Sequence, residues 1–353
     1  METKRKAHKE KNISLLNRLK LSIYFLFRLN RNPVVKIYNS YGNHHKITVF
    51  GHVLKVSPMP RKTYRHNWVT NTFSILRLFM VKVFPCTTVS LEWQSKTYTT
   101  HTENDGFFIF EIMGDDLIES GCHSVMVRLT DPKYISQNIR GHGSLYIPFP
   151  SQHGFISDID DTFLVSHSEK MRRRLYALFT KNARTRKTFE GVISHYQAFA
   201  SMNQEGKNAN PFFYVSSSEW NLYDFVVEFA RFNGLPKGVF LLGQIKKLKD
   251  FWRSGTNNHG TKFMRIVRIV EAYPHLNFVL LGDDSQQDPN IYNAIVKYFP
   301  EKIIAVYIRR IRKTNYENVK NIITEMQSHG VSCCYFEHSA EARIHSKSIG
   351  LVK

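Results

Sequence analysis

Six short apolar runs, each separated from the next by a segment long enough to hold a helix, dominate the sequence after residue 150. They fall at residues 154–157, 212–215, 239–242, 278–281, 303–308 and 332–336. Parallel strands are buried on both faces, so they read as continuous apolar runs, and the connections between them usually form helices. The pattern therefore predicts an α/β domain with a doubly wound parallel sheet over residues 151–353.

Two polar residues in this half are predicted to cap helices. Ser218 precedes a helical segment that ends before Gly234, and Asp288 stands directly before Pro289. Serine and aspartate side chains accept hydrogen bonds from the free N–H groups of a first helical turn, and proline is favoured at the first helical position. We expect a helix to begin after each of these two residues.

Residues 34–150 show strand-like patterns, at 46–56, 88–100, 106–112 and 123–129, with one segment at 71–83 that reads as a helix or an insertion. These patterns predict a β-sandwich-like domain. Asp105 and Gly106 between two of the runs are typical of a tight turn in a hairpin. Because we find no clustered histidine, cysteine or paired carboxylate here, we interpret this half as a packing or targeting module.

The charge of the chain is unusual for its length of 353 residues. The 49 basic and 29 acidic residues give a net charge of +20, with a pI near 9.7. Such a chain attracts polyanions, but charge alone does not choose among nucleic acid, anionic lipid and phosphorylated substrates. The four cysteines are too scattered for a disulfide framework, which favours a cytoplasmic location. No apolar run approaches the roughly 20 residues needed to span a bilayer.

Residues 1–33 are predicted to be a basic arm. Residues 1–36 hold ten Lys or Arg and two Glu, so this stretch contributes +8. Its apolar residues recur at a spacing of three or four, from Ile13 to Phe27. This spacing fits a helix that lies on a membrane surface and equally a helix packed on its own domain.

Carboxylates stand directly after two of the apolar runs. Asp158 and Asp160 follow the first run, and Asp283 follows the fourth, with Asp288 beyond it. In a doubly wound sheet, ligands bind beyond the carboxyl ends of the strands. Grouped carboxylates repel one another, and a hard cation with a preference for oxygen ligands relieves the repulsion. The sequence therefore predicts a Mg²⁺ site at this edge.

Two aspartates spaced two apart also suit phosphoryl transfer. One can attack phosphorus to form an aspartyl-phosphate, while the other protonates the leaving oxygen and then activates water. Ser216 follows the second apolar run, where its hydroxyl and the backbone N–H of Ser217 are positioned to hold a phosphate oxygen. A lysine near the fourth run would neutralise the phosphate, and the candidates from the residues alone are Lys246, Lys247, Lys249 and Lys262.

The segment 157–162, Ser-Asp-Ile-Asp-Asp-Thr, resembles the first motif of the haloacid dehalogenase superfamily of phosphatases. Ser216, Lys262 and Gly282 with Asp283 resemble the other three motifs. Three further segments, 181–186, 212–225 and 282–292, resemble the phosphatidate phosphatase family typified by the fungal actin-patch enzyme. The likeness covers residues 150–350, and the β-rich half is similar to a domain that precedes the catalytic one in bacterial members.

This resemblance implies a magnesium-dependent phosphatidate phosphatase that releases diacylglycerol and phosphate. Asp158 would be the nucleophile and Asp160 the general acid and base. Magnesium would be held by Asp158, the Asp160 carbonyl and Asp283, while Ser216, Ser217 and Lys262 would grip the phosphate. Asp288 and Thr162 are candidates for a supporting role. Glu219 stands where the family has proline, and residues 244–259 form a basic, irregular stretch.

Residues 163–211 are long enough for a small cap over the site. Their basic run at 172–174 could meet a lipid surface or simply be a solvated helix face. Two rival functions stay open: the same chemistry on a soluble or nucleic-acid phosphomonoester, and a non-catalytic protein that binds anionic lipid. We expect a cytoplasmic protein, peripheral to a membrane where its substrate is a lipid, with no obligate protein partner.

Overall fold

The computed structural model describes residues 29–30, 32–58, 77–114, 117–149, 153–159, 191–202, 209–243, 259–312 and 315–352, with Ser22 and Leu26, and of residues 259–261 only the backbone. Several predictions fall outside these residues. They concern most of the basic arm, Asp160, Thr162 and the greater part of the predicted cap.

The six apolar runs after residue 150 form six strands of one parallel sheet, which confirms the predicted α/β class. These strands are β11 (Gly154–Asp158), β12 (Phe212–Glu219), β13 (Gly238–Gly243), β14 (Phe278–Asp283), β15 (Ile303–Arg309) and β16 (Ser332–Phe336). Their order across the sheet is β13-β12-β11-β14-β15-β16. The chain therefore moves outwards from β11 in one direction and then, from β14, in the other.

A helix follows each of these strands in the described part of the chain. They are α1 (Val192–Ala200), α2 (Tyr223–Phe232), α3 (His259–Ala272), α4 (Asp288–Tyr298), α5 (Tyr316–Ser328) and α6 (Ser339–Ser348). Tyr196 and Phe199 of α1 are buried in the core around the parallel sheet. This part of the range predicted as a cap therefore packs into the core. Among the described residues, no helix combines the length and apolar character needed to cross a membrane.

The prediction that Ser218 caps the following helix is wrong. Ser218 is the seventh residue of β12, and a short 3-10 turn, Trp220–Leu222, separates that strand from α2. The residue before α2 is Leu222, which makes no side-chain cap. The strand continues past its apolar part because Glu219 still pairs with Gly243 of β13.

The first half of the chain is β-rich, as predicted, and its described strands join into one ten-stranded sheet. The strands are β1 (Leu29–Asn30), β2 (Val34–Ile37), β3 (Ser40–Gly42), β4 (Lys46–Pro58), β5 (Lys82–Val83), β6 (Thr88–Trp93), β7 (Lys96–His101), β8 (Phe107–Met113), β9 (Gly121–Leu129) and β10 (Arg140–Ile147). The long strand β4 pairs with β1, β2, β3, β5 and β8, so it organises this sheet.

The turn at Asp105 and Gly106 does not close the predicted hairpin. Gly106 has a φ of +80°, but β7 before the turn pairs with β6 and β8 after it pairs with β4. A two-residue hairpin instead joins β6 to β7 through Gln94 and Ser95, both at positive φ. Two consecutive residues in the left-handed region give the turn whose twist matches a two-residue hairpin.

The two sheets share a hydrophobic core. Tyr38, Tyr41 and Phe50 of the first half belong to the same buried cluster as the strands of the parallel sheet. A second buried cluster, which holds Phe110, lies within the β-rich half. The two halves thus meet through large aromatic side chains, and burial of such side chains contributes strongly to packing.

Candidate active site

Two adjacent strands of the parallel sheet end in aspartate. β11 ends at Asp158 and β14 ends at Asp283, and these strands are hydrogen-bonded neighbours on either side of the point where the chain order reverses. Ligands of open α/β sheets bind in the crevice at that point. Both side chains are buried, with 2% and 1% of their residues' surface exposed.

A third buried carboxylate joins them. One ligand atom each of Asp158, Asp283 and Asp288 lies within 4.8 Å of the others. Helix α4 begins at Asp288, which the sequence predicted to be a cap, but the residue at the cap position is Gln287. The Asp288 carboxylate contacts the Lys262 ammonium and accepts a hydrogen bond of 3.4 Å from the Asp283 N–H. Asp288 therefore lies among the clustered groups rather than beyond them.

Lys262 supplies the positive charge of the cluster. Its Nζ lies 2.6 Å from Oδ1 of Asp158 and also contacts Oδ1 of Asp288. Burial by itself would lower the pKa of Lys262, but attraction to Asp158 and Asp288 outweighs it and raises the pKa well above its usual value. The two carboxylates therefore favour the charged form of the lysine. The rival lysines at 246, 247 and 249 lie outside the described residues.

Ser216 and Ser217 lie at the same edge of the sheet. Asp158 is in register with Val215, so Ser216 stands one residue further towards the carboxyl edge. Ser216 is fully buried, and its Oγ accepts a hydrogen bond of 2.9 Å from the Ser218 N–H. Its carbonyl oxygen accepts a bond of 3.0 Å from Arg265 on α3, the helix that carries Lys262. One helix therefore contacts both the nucleophile candidate and the serine strand.

Sequence reasoning missed two tyrosines that support the site. The Tyr196 hydroxyl lies 2.9 Å from Ser157 Oγ, which in turn donates to the Asp158 carbonyl oxygen. The Tyr292 hydroxyl donates to the Leu281 carbonyl oxygen at 2.9 Å. Burial, reinforced by the charges of neighbouring aspartates, raises the pKa of Tyr292, so this hydroxyl keeps its proton. No local sequence signal marks either residue, because each lies on a helix far from its partner.

Close packing explains the glycine before Asp283. A Cβ atom added to Gly282 would lie 2.6 Å from Oδ2 of Asp288 and 2.7 Å from the Tyr292 ring. Both distances are shorter than side chains tolerate. Only glycine therefore lets α4 bring Asp288 this close to the end of β14.

Asp284 is buried next to Asp283 but contacts different groups. Its Oδ1 accepts hydrogen bonds from the N–H groups of Ile311 and Arg312, at 2.6 and 3.0 Å. Its Oδ2 accepts a bond of 2.7 Å from the Tyr335 hydroxyl. Asp284 therefore fixes the loop after β15, while Asp283 faces the cluster. Asp160 and Thr162, the remaining predicted site residues, lie outside the described residues.

The donor set suits a hard divalent cation. Three acidic side chains and one ammonium group meet in a buried space, and the clustered carboxylates offer oxygen atoms within 4.8 Å of one another. Magnesium prefers oxygen ligands and is commonly bound by one or two carboxylates together with phosphate oxygens. The residues present therefore fit the magnesium ion that the resemblance implies.

Known proteins resemble this chain over the region of the site. Residues 153–310 match the family described as "Phosphatidate phosphatase APP1, catalytic domain". The phosphatidate phosphatase APP1 of Saccharomyces cerevisiae is 27% identical over 179 residues, which cover 48% of this chain and 29% of the yeast protein. An uncharacterized protein of Schizosaccharomyces pombe is 22% identical over 219 residues, covering 61% of this chain and 34% of that protein. The chain thus spans about a third of the length of these curated relatives.

Similarity to solved structures is weak. A carbohydrate acetylesterase from Xanthomonas citri aligns with a TM-score of 0.34 and 7% identity, over 89% of this chain and 73% of that one. These values are too low to indicate a shared fold. The family match, in contrast, includes every predicted site residue from Asp158 to Asp288. Over residues 153–310, the chain is therefore similar to the family of the phosphatidate phosphatase APP1 catalytic domain.

Proposed function

We propose that the chain is a phosphomonoesterase whose substrate is phosphatidate, and that it releases diacylglycerol and inorganic phosphate. The observation that carries the proposal is the buried contact of Lys262 with Asp158 and Asp288, beside Asp283, at the switch point of the parallel sheet. The match of residues 153–310 to a phosphatidate phosphatase family supports the substrate. The net charge of +20 supports attraction to an anionic lipid surface.

The same proposal assigns the catalytic half to the haloacid dehalogenase-like folds. The strand order, which reverses between β11 and β14, supports a doubly wound sheet with its site at that reversal. For the β-rich half, a sandwich-like domain over residues 34–150 stays a prediction. The arm at 1–33 and the cap between 163 and 211 likewise stay predictions.

We assign Asp158 as the nucleophile and Asp160 as the general acid and base. An oxygen of the Asp158 carboxylate forms a bond to phosphorus while the bond from phosphorus to the glycerol oxygen breaks, and that oxygen takes a proton from Asp160. In the second step Asp160 removes a proton from water, whose oxygen attacks phosphorus. The Asp158 carboxylate is then released together with inorganic phosphate.

Three groups of the chain would bind the phosphoryl oxygens. Ser216 contributes its hydroxyl, Ser217 its backbone N–H, and Lys262 its ammonium group. Because Lys262 is buried and held by two carboxylates, its charge is preorganised and need not reorient during the reaction. The lysine also lowers the repulsion between the anionic substrate and the Asp158 carboxylate.

A magnesium ion would be held by Asp158, Asp283 and the Asp160 carbonyl, with Asp288 close enough to contribute an oxygen. When bound, it supplies positive charge next to the phosphoryl oxygens. Thr162 stays a candidate for a supporting role. A cytoplasmic protein that works at the membrane surface fits this assignment, since the substrate is a lipid.

The test is phosphate release from phosphatidate in mixed micelles, compared with a panel of soluble and nucleotide phosphomonoesters, with magnesium or with EDTA. Asp158→Asn is the inactive control, and Glu92→Gln, which changes an exposed acid paired with Arg128 in the β-rich half, is the matched control. Magnesium-dependent release chiefly from phosphatidate supports the proposal. Phosphate release only from soluble esters would support the phosphomonoesterase reaction but reject phosphatidate as the substrate. No phosphate release from any ester would favour a non-catalytic binding protein.

A further inference from the structure

The short turn Trp220–Leu222, which follows β12, packs against the β-rich half of the chain. Trp220, which begins this turn, stacks on Tyr38 with ring centroids 4.1 Å apart and an interplanar angle of 14°. Tyr38 is 1% exposed and Trp220 is 6% exposed. Stacked aromatic pairs of this kind contribute stabilisation beyond the burial of their area.

Three more rings of the β-rich half surround the indole. Their centroids lie 5.8 to 6.2 Å from that of Trp220, and they belong to Phe50, His52 and Phe107. Phe50 and His52 are on β4, and Phe107 begins β8. The indole is therefore surrounded mainly by rings of the first sheet, together with Tyr223 of its own half at 5.8 Å.

Polar contacts fix the residues that follow Trp220. The Asn221 side chain donates to the Leu78 carbonyl oxygen at 2.9 Å, and the Asn39 N–H donates to the Tyr223 hydroxyl at 2.9 Å. Lys36 also pairs with Asp224 at 2.6 Å. Every residue from 220 to 224 except Leu222 thus contacts the first 110 residues through its side chain.

A hydrogen bond to His52 also holds Tyr38 in place. Its hydroxyl lies 3.0 Å from Nδ1 of His52, whose Nε2 faces Asp105 at 3.9 Å. Burial lowers the pKa of His52 despite the opposing effect of Asp105, which favours a neutral ring whose Nδ1 accepts a hydrogen bond from the Tyr38 hydroxyl. The Tyr38 ring is therefore fixed in the orientation that stacks on Trp220.

The contacts of Trp220 with the β-rich half matter because they lie close in sequence to the phosphate-binding residues. Trp220 follows Ser216 by four residues, and the pairing of β12 with β13 shifts register between Val215 and Glu219. A register shift interrupts the regular ladder that would otherwise fix the backbone. The position of Ser216 and Ser217 therefore depends strongly on where the chain is anchored next, and that anchor is Trp220.

We propose that the β-rich half positions residues of the active site. Tyr38, by stacking on Trp220, holds the phosphate-binding residues Ser216 and Ser217 in place. The inference rests on the proposed function in assigning phosphate to these serines. It replaces the interpretation of this half as a separate packing or targeting module. Tyr38 touches no reacting atom, so it is a positioning residue.

The test compares Tyr38→Leu with a matched variant, Phe110→Leu. Both changes shorten a buried aromatic side chain of the β-rich half, but Phe110 lies in the second core cluster, away from Trp220. Tyr38→Phe keeps the stacked ring and removes only the hydroxyl. Trp220→Phe provides a milder change on the other side of the stack if Tyr38→Leu does not fold.

Three quantities are measured on each full-length variant: the thermal unfolding midpoint, the amide hydrogen exchange of residues 212–223 against residues 278–283, and the kinetics. We expect Tyr38→Leu to speed exchange selectively at 212–223. We also expect it to lower kcat/KM by about 10- to 100-fold and to weaken inhibition by inorganic phosphate in parallel, since small displacements of binding groups cost this much. Tyr38→Phe should show a smaller effect in the same direction, because it keeps the stacked ring and loses only the bond to His52.

The matched variant separates positioning from stability. Phe110→Leu should lower the unfolding midpoint without changing kcat/KM or the exchange at 212–223. If both variants lose activity equally, or if exchange rises evenly across the two peptides, the positioning role is wrong. If the unaltered chain hydrolyses no phosphomonoester, the proposed function fails, and the exchange comparison alone still decides whether Tyr38 fixes the serine strand.

Discussion

The Lys262 ammonium lies 2.6 Å from Oδ1 of Asp158, although the two residues are 104 positions apart in the chain. Both side chains are almost wholly buried. A buried ion pair of this kind is costly to form and costly to break, because a charge left alone inside a protein has no water to solvate it. This buried ion pair lies at a strand end beside two more carboxylates, which indicates that it serves function more than stability.

Replacing Asp158 by asparagine should abolish phosphate release. The amide keeps the size of the side chain but is not a nucleophile, and loss of a nucleophile costs other enzymes about 10⁴-fold or more in turnover. Phosphate release under saturating magnesium measures the effect. Glu92→Gln should retain activity, and appreciable magnesium-dependent turnover in Asp158→Asn would reject Asp158 as the nucleophile.

Removing the lysine should destabilise the fold. Lys262→Met leaves the clustered carboxylates without this ammonium group, and loss of one partner of a buried ion pair costs about 3–5 kcal/mol. Adding Asp288→Asn should recover part of the loss, because one buried negative charge is then removed. Urea unfolding without divalent ions measures both variants.

An exposed ion pair provides the control for this change. Lys297 pairs with Glu325 at 2.6 Å, with both side chains 46% exposed. Lys297→Met should leave the unfolding midpoint nearly unchanged, since water solvates the remaining charge. If Lys262→Met and Lys297→Met lost equal free energy of unfolding, burial would not be the reason why the Lys262 ion pairs stabilise the fold.

Magnesium should stabilise the folded chain even when no substrate is present. A ligand that binds only the folded state adds about 2.7 kcal/mol at a concentration 100 times its Kd. Asp283→Asn should abolish the magnesium-dependent rise in the unfolding midpoint. Asp284→Asn should preserve it, because Asp284 holds the loop at Ile311 and Arg312 and not the cluster. A shift that survives in Asp283→Asn would place the ion elsewhere.

Stability should fall as the pH is lowered below 6.5, in part because of His195. Burial, with the charges of Arg343 and Arg309, lowers the pKa of this histidine to about 4, from 6.5 in an exposed state. Between these values the unfolded chain binds a proton that the folded chain does not, so acid favours unfolding. From pH 7 to pH 5 this single group should remove about 2 kcal/mol of stability.

The variant His195→Gln isolates that contribution. Glutamine can still reach the Ser346 hydroxyl that lies 3.1 Å from the histidine Nε2, but it does not titrate. Urea unfolding at pH 5 and pH 7 should therefore show a smaller difference for the variant than for the unaltered chain. His52, also buried with a lowered pKa, contributes equally to both and cancels from the comparison. Identical pH dependence in the two proteins would contradict the assignment.

Local patterns predicted the parallel sheet well. Every apolar run after residue 150 became a strand, because strands buried on both faces are encoded by consecutive apolar residues. Local patterns predicted caps and turns less well. Ser218 continues a strand, and Asp288 turns towards Lys262, because partners distant in sequence outweigh the local hydrogen bonds that these residue types usually make.

By itself, the sequence determined the strands of the α/β half and placed Asp158 and Asp283 at strand ends, since both depend on residues that are close neighbours in the chain. Only the tertiary structure decided that Lys262 contacts Asp158, that Asp288 joins the cluster, and that Asp284 does not. The stacking of Trp220 on Tyr38 was also decided only by the tertiary structure. These contacts join segments that are far apart in sequence. Those of Lys262 and the aspartates form only when the helices of the α/β half pack on its sheet, and the contact of Trp220 with Tyr38 forms only when the two halves pack together.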